Sequence, residues 1–256
     1  MKFTWKHYKD GDAPLLERWL DEEARRFTGC SDGWLAYYDY WIHDESIQPG
    51  ENFWVFLAGE DTLEAVFVFG QASSGLFTVS ECFVDPSLRG KGIGSAALRE
   101  LIQNASVIIG REMKDVQAVV YPDNIASRRM FEKVGFRLAA THPDGDALYY
   151  HYATEMLCWC GHDCGKCITR TAAVLQNSAL KEKALHFHSA LSTKNIGFED
   201  IICYGGRSGT VCQACAECPF MQCCRKKKIA GCYLCETPCE MWKTYKDTYV
   251  NRCHQI

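Results

Sequence analysis

The stretch Val84-Asp-Pro-Ser-Leu-Arg89-Gly-Lys-Gly-Ile-Gly-Ser95 brings a strand end, a glycine-rich turn and a helix start together. Its three glycines let the backbone turn tightly and bring N–H groups close to an anion. The helix that follows adds the positive end of its dipole, and Arg89 and Lys91 add positive charge. The stretch therefore predicts a cradle for a pyrophosphate group.

Two common phosphate-binding loops do not fit this stretch. The nucleotide P-loop has four residues between its glycines and then Lys and Ser or Thr, and the dinucleotide loop has Gly-x-Gly-x-x-Gly. The stretch resembles instead motif A of the GNAT superfamily of acyl-CoA-dependent N-acetyltransferases, in which Arg/Gln-x-x-Gly-x-Gly/Ala follows a strand and a Val-x-Pro turn. Residues 89–94 carry this pattern directly after a strand and Asp85-Pro86.

A second block, residues 121–136, resembles the later signature of the same family, Asn-x-x-Ala-x-x-x-Tyr-Glu-Lys-x-Gly-Phe. Ser127 stands at the alanine position and Phe131 at the tyrosine position. An Asp-Asn pair can cap the helix that this block predicts, and Gly135 can end it. The two motifs occur in the order and at the spacing of the family.

The resemblance implies the GNAT acyl-CoA N-acyltransferase fold over residues 1–155, which is a mixed α/β fold with a mostly antiparallel sheet. The hydrophobic pattern predicts the element order β-α-α-β-β-β-α-β-α-β-β. The first helix is predicted to begin at Pro14 and to carry Leu16, Trp19 and Phe27 on one face, and the second follows Ser31. The predicted strands are residues 3–8, 53–57, 63–70, 77–84, 116–121, 136–138 and 148–152.

The resemblance also implies the cofactor, acetyl-CoA, and its place. In this family the pantetheine arm lies along the motif A strand, where a backbone N–H polarises the thioester carbonyl. By position that segment is Phe83 and Val84. The implied coenzyme A contacts are Phe83, Val84, Arg89, Gly90, Lys91, Gly92, Ile93, Gly94, Ser95, Asn124, Ser127 and Phe131.

The reaction implied by the resemblance is direct transfer of an acetyl group to a primary amine, which needs a base and an acid. Glu81, on the motif A strand, is the candidate general base or water-positioning group, and its alternative role is that of a solvated strand carboxylate. Many family members use a tyrosine at the position of Phe131 to protonate the departing thiolate. A phenyl ring cannot do so, which keeps a non-catalytic acyl-CoA sensor as an alternative function.

The acceptor has a weaker signal. Carboxylates cluster on and after the two early helices, which border the acceptor cleft in this fold, and their field would suit a small cationic amine. Residues 141–149 also resemble the corresponding hairpin of aminoglycoside 6′-N-acetyltransferases. A protein amine is the other acceptor considered, and a merely solvated acidic face is the alternative interpretation. The carboxylates are Asp21, Glu22, Glu23, Asp39, Asp44 and Glu45.

Composition divides the 256-residue chain into two parts. Residues 1–156 carry a formal charge of −9 and residues 157–256 one of +5, and 14 of the 16 cysteines fall in the second part. We therefore expect two domains, residues 1–155 and 156–256. The start of the chain has no apolar core typical of a signal peptide, and no window is apolar enough to span a membrane, so we expect a cytoplasmic protein without a membrane partner.

The second part is expected to be a small C-terminal cysteine-rich metal-binding domain. Closely spaced cysteine pairs in a cytosolic chain favour metal binding over disulfides, because thiols there stay reduced. Zinc is the leading interpretation and an iron–sulfur cluster is the alternative, since the spacing Cys-x3-Cys-x2-Cys is also used for clusters. The candidate ligands are Cys160, Cys164, Cys167, Cys203, Cys212, Cys215, Cys218, Cys223, Cys232, Cys235 and Cys239, with His162 as a substitute.

This part also resembles DUF3795, a cysteine-rich family of unknown function, from Cys160 to about Trp242. The family pattern Cys-Gly-x-Asp-Cys-x-x-Cys occurs here as residues 160–167, and Cys203 is followed by glycines where the family often has a second cysteine. The resemblance implies a bound metal and leaves the partner of Cys203 open. The basic run at residues 225–228 raises nucleic-acid binding as an alternative, but a solvated face is its expected role. A redox or nucleic-acid adaptor built on the cysteine-rich part is a further alternative function.

Overall fold

The computed structural model describes residues 3–44, 53–59 and 62–246, and the chain divides into two compact units, Met1–Tyr152 and Ala153–Ile256. Glu45 and part of the turn between the second and third predicted strands, residues 60 and 61, lie outside the described residues.

The first unit alternates strands and helices in the predicted manner. It begins with β1 (Thr4–His7), α1 (Ala13–Trp19), α2 (Glu22–Phe27) and α3 (Trp34–Ile42). The central strands are β2 (Phe53–Gly59), β3 (Ala65–Gln71) and β4 (Phe77–Val84). These are followed by α4 (Ile93–Gln103), the short α5 (Ala105–Ile108), β5 (Asp115–Val120), α6 (Ile125–Val134), β6 (Arg137–Thr141) and β7 (Leu148–Ala153), whose last residue lies in the second unit.

Within the described residues, these strands form a seven-stranded mixed sheet in the order β1-β2-β3-β4-β5-β7-β6. The pairs β1–β2, β2–β3, β3–β4 and β6–β7 are antiparallel, and β4 and β5 are parallel. The predicted mostly antiparallel GNAT sheet is therefore confirmed. The parallel pairing covers only Phe77–Val79 of β4, although β4 continues to Val84.

The sheet has a hydrophobic core on each face. On one face, α4 and α6 pack through residues such as Leu98, Leu101 and Phe131 against Phe67 and Phe69 of β3. On the other face, α1, α2 and α3 pack against the opposite side chains of the same strands. The first unit is thus a three-layer α/β/α structure in which β4 is covered on both sides.

The first predicted helix was wrong in its extent. The chain leaves the helical region at Leu20 (φ −83°, ψ 70°), and Asp21 caps a new helix by accepting a hydrogen bond from the Ala24 N–H at 2.9 Å. Phe27 consequently lies in α2 and not on the buried face of α1. A capping aspartate inside an otherwise continuous apolar pattern provides a local alternative to helix continuation.

The second unit contains α7 (Ile168–Leu175), α8 (Ser178–Ser189), α9 (Gln213–Ala216), α10 (Pro219–Lys227) and α11 (Glu240–Tyr245). The helices α7 and α8 form a hairpin in which Asn177 caps α8 by accepting from the Leu180 N–H at 3.1 Å. In one core of this unit, cysteines replace large apolar side chains, and Cys158, Cys160, Cys164, Cys224 and Cys232 pack there with Phe220.

Among the described residues, we find no helix with both the length and the apolar character that a membrane crossing demands.

Candidate functional site

The first unit contains a cleft of about 510 Å³ between α2, the second half of β4, the glycine-rich turn and α6. It brings together nearly all of the sequence-predicted coenzyme contacts. These are Phe83, Val84, Arg89, Gly90, Gly92, Ile93, Gly94, Ser95, Asn124, Ser127 and Phe131, and Glu81 lines the same cleft. Lys91 is exposed and does not belong to the lining.

The glycine-rich turn leaves backbone donors at the start of α4. The first helical hydrogen bond runs from the Ala96 N–H to the Gly92 carbonyl at 3.0 Å. The N–H groups of Ile93, Gly94 and Ser95 precede this bond and have no acceptor within the helix. They line the cleft at the positive end of the helix dipole, which is the arrangement that binds phosphate oxygens.

The three positions of the turn require glycine for different physical reasons. Gly90 (φ +77°) and Gly92 (φ +84°) adopt left-handed backbone conformations that other residues rarely adopt. Gly94 has ordinary helical geometry, but a Cβ there would lie 3.0 Å from Met130 Sδ and 3.3 Å from Val84 Cγ2. Gly94 is therefore needed for close packing of α4 against α6 and β4.

Arg89 does not offer its charge freely to the cleft. Its guanidinium donates to both carboxylate oxygens of Asp21, at 2.7 and 3.1 Å, and to Glu23 at 3.1 Å. Burial alone would raise the pKa of Asp21, but the hydrogen bonds from Arg89 and the Ala24 N–H lower it. The predicted mobile charge of Arg89 is instead used to fasten α2 to the glycine-rich turn.

Two basic residues of α6, which the sequence analysis did not select, line the cleft as well. Arg129 and Lys133 lie four residues apart, and Lys133 Nζ lies 3.8 Å from the position that a Cβ on Gly92 would occupy. Two basic residues at i and i+4 share a helix face. That spacing, within a helix already predicted to border the coenzyme, is the signal that could have identified them.

The residues of the second motif mainly cap α6 and pack in the core. Asn124 caps α6 by accepting from the Ser127 N–H at 3.0 Å. Phe131 is 4% exposed and packs edge-on against Phe136 and stacked on Tyr150. Its ring thus forms one wall of the cleft from within the core.

A β-bulge at Ser80 decides which way Glu81 points. Val68 of β3 pairs with Glu81 and Phe69 with Val79, so Ser80 has no partner in β3. Before the bulge, Val79 faces the α4–α6 core; after it, the odd-numbered Phe83 faces the α1–α3 core. Because a bulge inserts one residue, Glu81 shares the face of Val68 and Phe83.

Glu81 lies half-buried on this face and is held by the backbone of the α2–α3 connection. Its Oε1 accepts the Gly29 N–H at 2.7 Å. Burial raises the pKa of Glu81 from 4.5 to about 8, and the bond from Gly29 opposes part of this rise. A carboxyl group with such a pKa can accept a proton and release it near neutral pH.

Gly29 and Tyr37 complete the surroundings of Glu81. A Cβ on Gly29 would lie 2.9 Å from both Glu81 Oε1 and Tyr37 Cε2, so a larger residue would displace one of these side chains. The Tyr37 hydroxyl is buried and has no hydrogen-bond partner among the described residues. Burial, with the charge of Glu81, raises the pKa of this phenol, which therefore stays protonated.

The two cysteines of the first unit are not thiolates. Burial, with the Glu81 charge, raises the pKa of Cys30 and of Cys82 to about 12. A neutral thiol is a poor nucleophile. Neither cysteine is therefore suited to carry an acyl group.

The second unit contains a separate small cavity of about 30 Å³ lined by sulfur ligands. Its cysteines are Cys158, Cys160, Cys164, Cys167, Cys203, Cys212 and Cys215. The sulfur atoms of Cys203, Cys212 and Cys215 all lie within 4.8 Å of one another. Cys212 and Cys215 are therefore the neighbours of Cys203 in the fold, which the sequence left open. Cys158 also lines the cavity, although the sequence analysis did not include it.

The remaining predicted ligands lie outside this lining. Cys218 packs against the buried cysteine cluster, whereas Cys223 and Cys239 are exposed. Cys232 Sγ lies 3.6 Å from Cys224 Sγ, and Lys227 Nζ donates to Cys235 Sγ at 3.3 Å. The described cysteines form no disulfide.

Comparison with solved structures gives matches of low identity. A domain from Methanocaldococcus jannaschii is 20% identical, with 60% of this chain and 99% of that chain covered and a TM-score of 0.47. The ribosomal-protein-S18-alanine N-acetyltransferase from Escherichia coli is 18% identical, with 59% and 94% covered and a TM-score of 0.43. The aminoglycoside acetyltransferase AAC(6′)-Ib with coenzyme A is 20% identical, with 59% and 95% covered and a TM-score of 0.48.

Comparison with models of protein families gives a match for each part of the chain, whereas comparison with curated proteins does not. No curated protein gives a significant match to the chain. Residues 13–136 match the acetyltransferase (GNAT) family, and residues 156–244 match DUF3795, a family of unknown function. The chain therefore contains a region similar to the GNAT family of acetyltransferases, followed by a region similar to DUF3795.

Proposed function

We propose that the first domain transfers an acetyl group from acetyl-CoA to a primary amine, with Glu81 as the general base. One observation carries this proposal: a single cleft contains both the N–H groups at the start of α4, which have no acceptor within the helix, and the Glu81 carboxyl group with its raised pKa. The first feature suits the pyrophosphate of coenzyme A, and the second suits proton removal from an amine.

The cleft has a place for the pantetheine arm as well as for the pyrophosphate. Pairing of β4 with β5 ends at Val79–Ala118, so within the described part of the chain the last part of β4 has a neighbouring strand on the β3 side alone. In an antiparallel pair, alternate residues direct their backbone groups away from the partner. These groups of β4 are available to an extended amide chain, and one of the N–H groups near Phe83 and Val84 would polarise the thioester carbonyl.

Direct transfer is favoured over a covalent acyl-enzyme. The pKa of both Cys30 and Cys82 is raised to about 12, chiefly by burial, so their thiolate fractions at neutral pH are very small. Among the described lining residues there is no histidine to activate a serine. The amine therefore attacks the thioester carbon itself while Glu81 takes its proton, the C–S bond breaks, and the coenzyme leaves as a thiolate.

Phe131 provides no proton for that thiolate, because it is a buried phenyl ring. The thiolate of coenzyme A is a tolerable leaving group, so transfer does not depend on this acid. The same observation supports a second candidate function, that of a binding-only acyl-CoA sensor. Turnover of acetyl-CoA with amines separates the enzyme from the sensor.

The acceptor that we propose is a small cationic amine or an amine of a protein. Two of the carboxylates in this region, Asp21 and Glu23, are already paired with Arg89, so they contribute less to an acidic acceptor site. We therefore place the main recognition of the amine at Glu81. Phe27 and Tyr121, whose ring centres lie 6.2 Å apart, also line the cleft and form an aromatic wall for the acceptor.

The test is turnover of acetyl-CoA with a panel of amines that includes polyamines, aminoglycosides and peptides with free N-termini or lysines. Free coenzyme A and the acetylated amine are measured by chromatography and mass spectrometry, because thiol reagents would react with the cysteines of the chain. We expect acetylation of at least one amine and none of its N-acetylated control. Tight binding of acetyl-CoA without turnover of any amine would establish the sensor and reject the enzyme.

Gly29→Ala tests the placement of Glu81. The added Cβ would lie 2.9 Å from Glu81 Oε1 and must displace the carboxyl group or the Tyr37 ring. We expect kcat/KM for acetyl transfer to fall on the order of 10- to 100-fold, because small displacements of a catalytic group are costly. The pH midpoint should rise above about 8 if the Gly29 hydrogen bond is weakened, since that bond lowers the pKa of Glu81.

The matched control is Gly11→Ala, because a Cβ at Gly11 meets no atom within 4 Å. This variant should retain the wild-type rate and pH profile. Equal rates for the two alanine variants would contradict the proposed role of Gly29.

A further inference from the structure

The cysteine cavity of the second unit contains more sulfur ligands than one metal ion can use. Seven cysteines line a space of about 30 Å³, whereas a tetrahedral zinc ion takes four ligands. Seven thiols in one buried place and without a disulfide are unusual unless they bind metal. The question is therefore how these sulfur atoms are divided between sites.

One group consists of Cys203, Cys212 and Cys215. Their mutual sulfur distances of at most 4.8 Å agree with ligands around one ion, where Zn–S bonds of about 2.3 Å place the sulfurs roughly 3.8 Å apart. Cys212 lies at the start of α9 and Cys215 within it, so one helical turn presents both. The Gly205 N–H donates to Cys203 Sγ at 3.4 Å.

Cys167 is the cavity cysteine that we assign as the fourth member of this first group. It precedes α7 and lines the same cavity. Cys167 and Cys203 both lie close to the His188 ring, whose Nε2 is hydrogen-bonded to Thr169 Oγ1 at 2.9 Å. Cys167, Cys203, Cys212 and Cys215 together provide four thiolates.

The second group is centred on Cys158. The thiols of Cys160 and Cys164 are hydrogen-bonded to Cys158, and Cys218 packs against the same buried cluster. The Gly206 N–H donates to Cys164 Sγ at 3.3 Å. A Cβ on Gly206 would lie 2.1 Å from Cys158 Sγ, so a glycine is required where this sulfur passes the backbone.

The surroundings favour negative charge at both groups. Adjacent backbone N–H groups, those of Gly205 and Gly206, point at a sulfur of each group. Arg170 is 4% exposed and lines the cavity, and a guanidinium this buried favours anionic neighbours. Thiolates bound to a metal provide such neighbours, whereas neutral thiols do not.

We propose that this region binds two Zn²⁺ ions, one through Cys158, Cys160, Cys164 and Cys218 and the other through Cys167, Cys203, Cys212 and Cys215. Each of these cysteines binds its ion as a thiolate. The proposal assigns a ligand role to Cys158 and none to Cys223, Cys232, Cys235 and Cys239.

The first experiment measures the metal content of the full chain, purified without oxygen. We expect two equivalents of zinc per chain, little iron and no colour. Cobalt loading of the full chain should give the intense visible bands of tetrahedral cobalt in thiolate sites, and they should reach their maximum at two equivalents. A brown protein that contains iron and sulfide, or a chain that binds fewer than two zinc ions, would overturn the proposal.

Variants then test the division of the ligands. Cys158→Ser and Cys212→Ser should each reduce bound zinc from two equivalents to one, because they belong to different sites, and the double variant should bind none. Gly206→Ala should lose the ion of the Cys158 site although no ligand has been removed. Gly209→Ala is its control, since a Cβ there meets no atom within 4 Å.

Cys235→Ser is the matched cysteine control, because Cys235 lies outside both the cavity lining and the buried cysteine cluster, and its sulfur accepts from Lys227 Nζ at 3.3 Å. It should retain two equivalents of zinc and the full cobalt spectrum. Loss of zinc from Cys235→Ser equal to that from Cys158→Ser would refute the assignment. If a ligand variant fails to fold, the metal count and cobalt titration of the wild-type chain still decide whether there are two sites.

Discussion

Replacing Glu81 with Gln is expected to lower kcat/KM for acetyl transfer by roughly 10²- to 10⁴-fold, the usual contribution of a positioned general base. The amide has nearly the shape of the carboxyl group but cannot accept the amine's proton. Binding of acetyl-CoA should change little, because the coenzyme is proposed to bind at β4 and the glycine-rich turn. The measurements are steady-state rates and calorimetric affinities for acetyl-CoA.

The pH dependence of the same variant provides an independent check. A base must be deprotonated, and burial raises the pKa of Glu81 to about 8, so the wild-type rate should rise with pH through this value. Glu81→Gln should lack that inflection. A separate rise from ionisation of an alkyl amine, near pH 10 to 10.5, should appear in both proteins.

The free energy of unfolding should decrease as pH rises, whereas the rate of acetyl transfer should increase. The folded chain keeps the Glu81 proton up to about pH 8, whereas the unfolded chain releases it near the ordinary value of 4.5. The unfolding free energy of the wild type should therefore decrease as pH rises between these values, and the Gln variant should lack this contribution. The difference is measured by urea unfolding of both proteins over this range.

Glu112→Gln is the control for Glu81→Gln, because Glu112 is an exposed carboxylate paired only with Lys114 in the described structure. It removes the same formal charge outside the cleft. An activity and pH profile of Glu81→Gln that equal those of Glu112→Gln would remove Glu81 from the mechanism. Acetyl transfer itself would then still be tested by the amine panel.

Gly92→Val is the second variant with a large expected effect, and it tests the pyrophosphate site. Gly92 has φ +84° at the start of α4, and a non-glycine residue in this region costs about 1–2 kcal/mol. Relief of that strain rotates the peptide groups that aim the N–H groups of Ile93 and Gly94 into the cleft. We expect the Kd for acetyl-CoA to rise by about 10- to 100-fold, where each factor of ten is 1.4 kcal/mol.

Gly110→Val is the matched control for backbone strain. Gly110 also has a positive φ, +71°, and a Cβ there meets no atom within 4 Å. Both variants should lose a similar amount of unfolding free energy in urea, but only Gly92→Val should lose affinity for acetyl-CoA. Similar Kd values for the two variants would mean that the turn does not bind the coenzyme.

The sequence by itself predicted the elements whose signals are local. The bounds of β4, residues 77–84, agree with the apolar run that ends at Asp85-Pro86. The caps of α6 are those that the sequence indicates, since Asn124 accepts from the Ser127 N–H and Gly135 has φ +112°. Backbone conformation and capping depend on residues within one turn, so they can be read from neighbouring residues.

The tertiary structure decided the contacts that join distant segments. Arg89 was expected to face an anion, but the fold brings Asp21 to it from 68 residues away. The direction of Glu81 depends on a bulge that exists only when β4 pairs with β3. Neither contact has a sequence pattern, because each depends on where the chain returns after a long loop or helix.

The same distinction applies to the cysteines. Their spacing predicted metal ligands, but it could not divide them into groups or include Cys158, which lies two residues before the DUF3795 pattern at Cys160. Only folding brings Cys203 to Cys212 and Cys215 and places Gly206 against the Cys158 sulfur. The sequence thus predicted the fold class, which the structure confirms, and through short-range backbone and spacing rules it also predicted a coenzyme loop and cysteine ligands. The tertiary structure decided which charges are paired, where the base points and which sulfurs meet, because these depend on long-range packing.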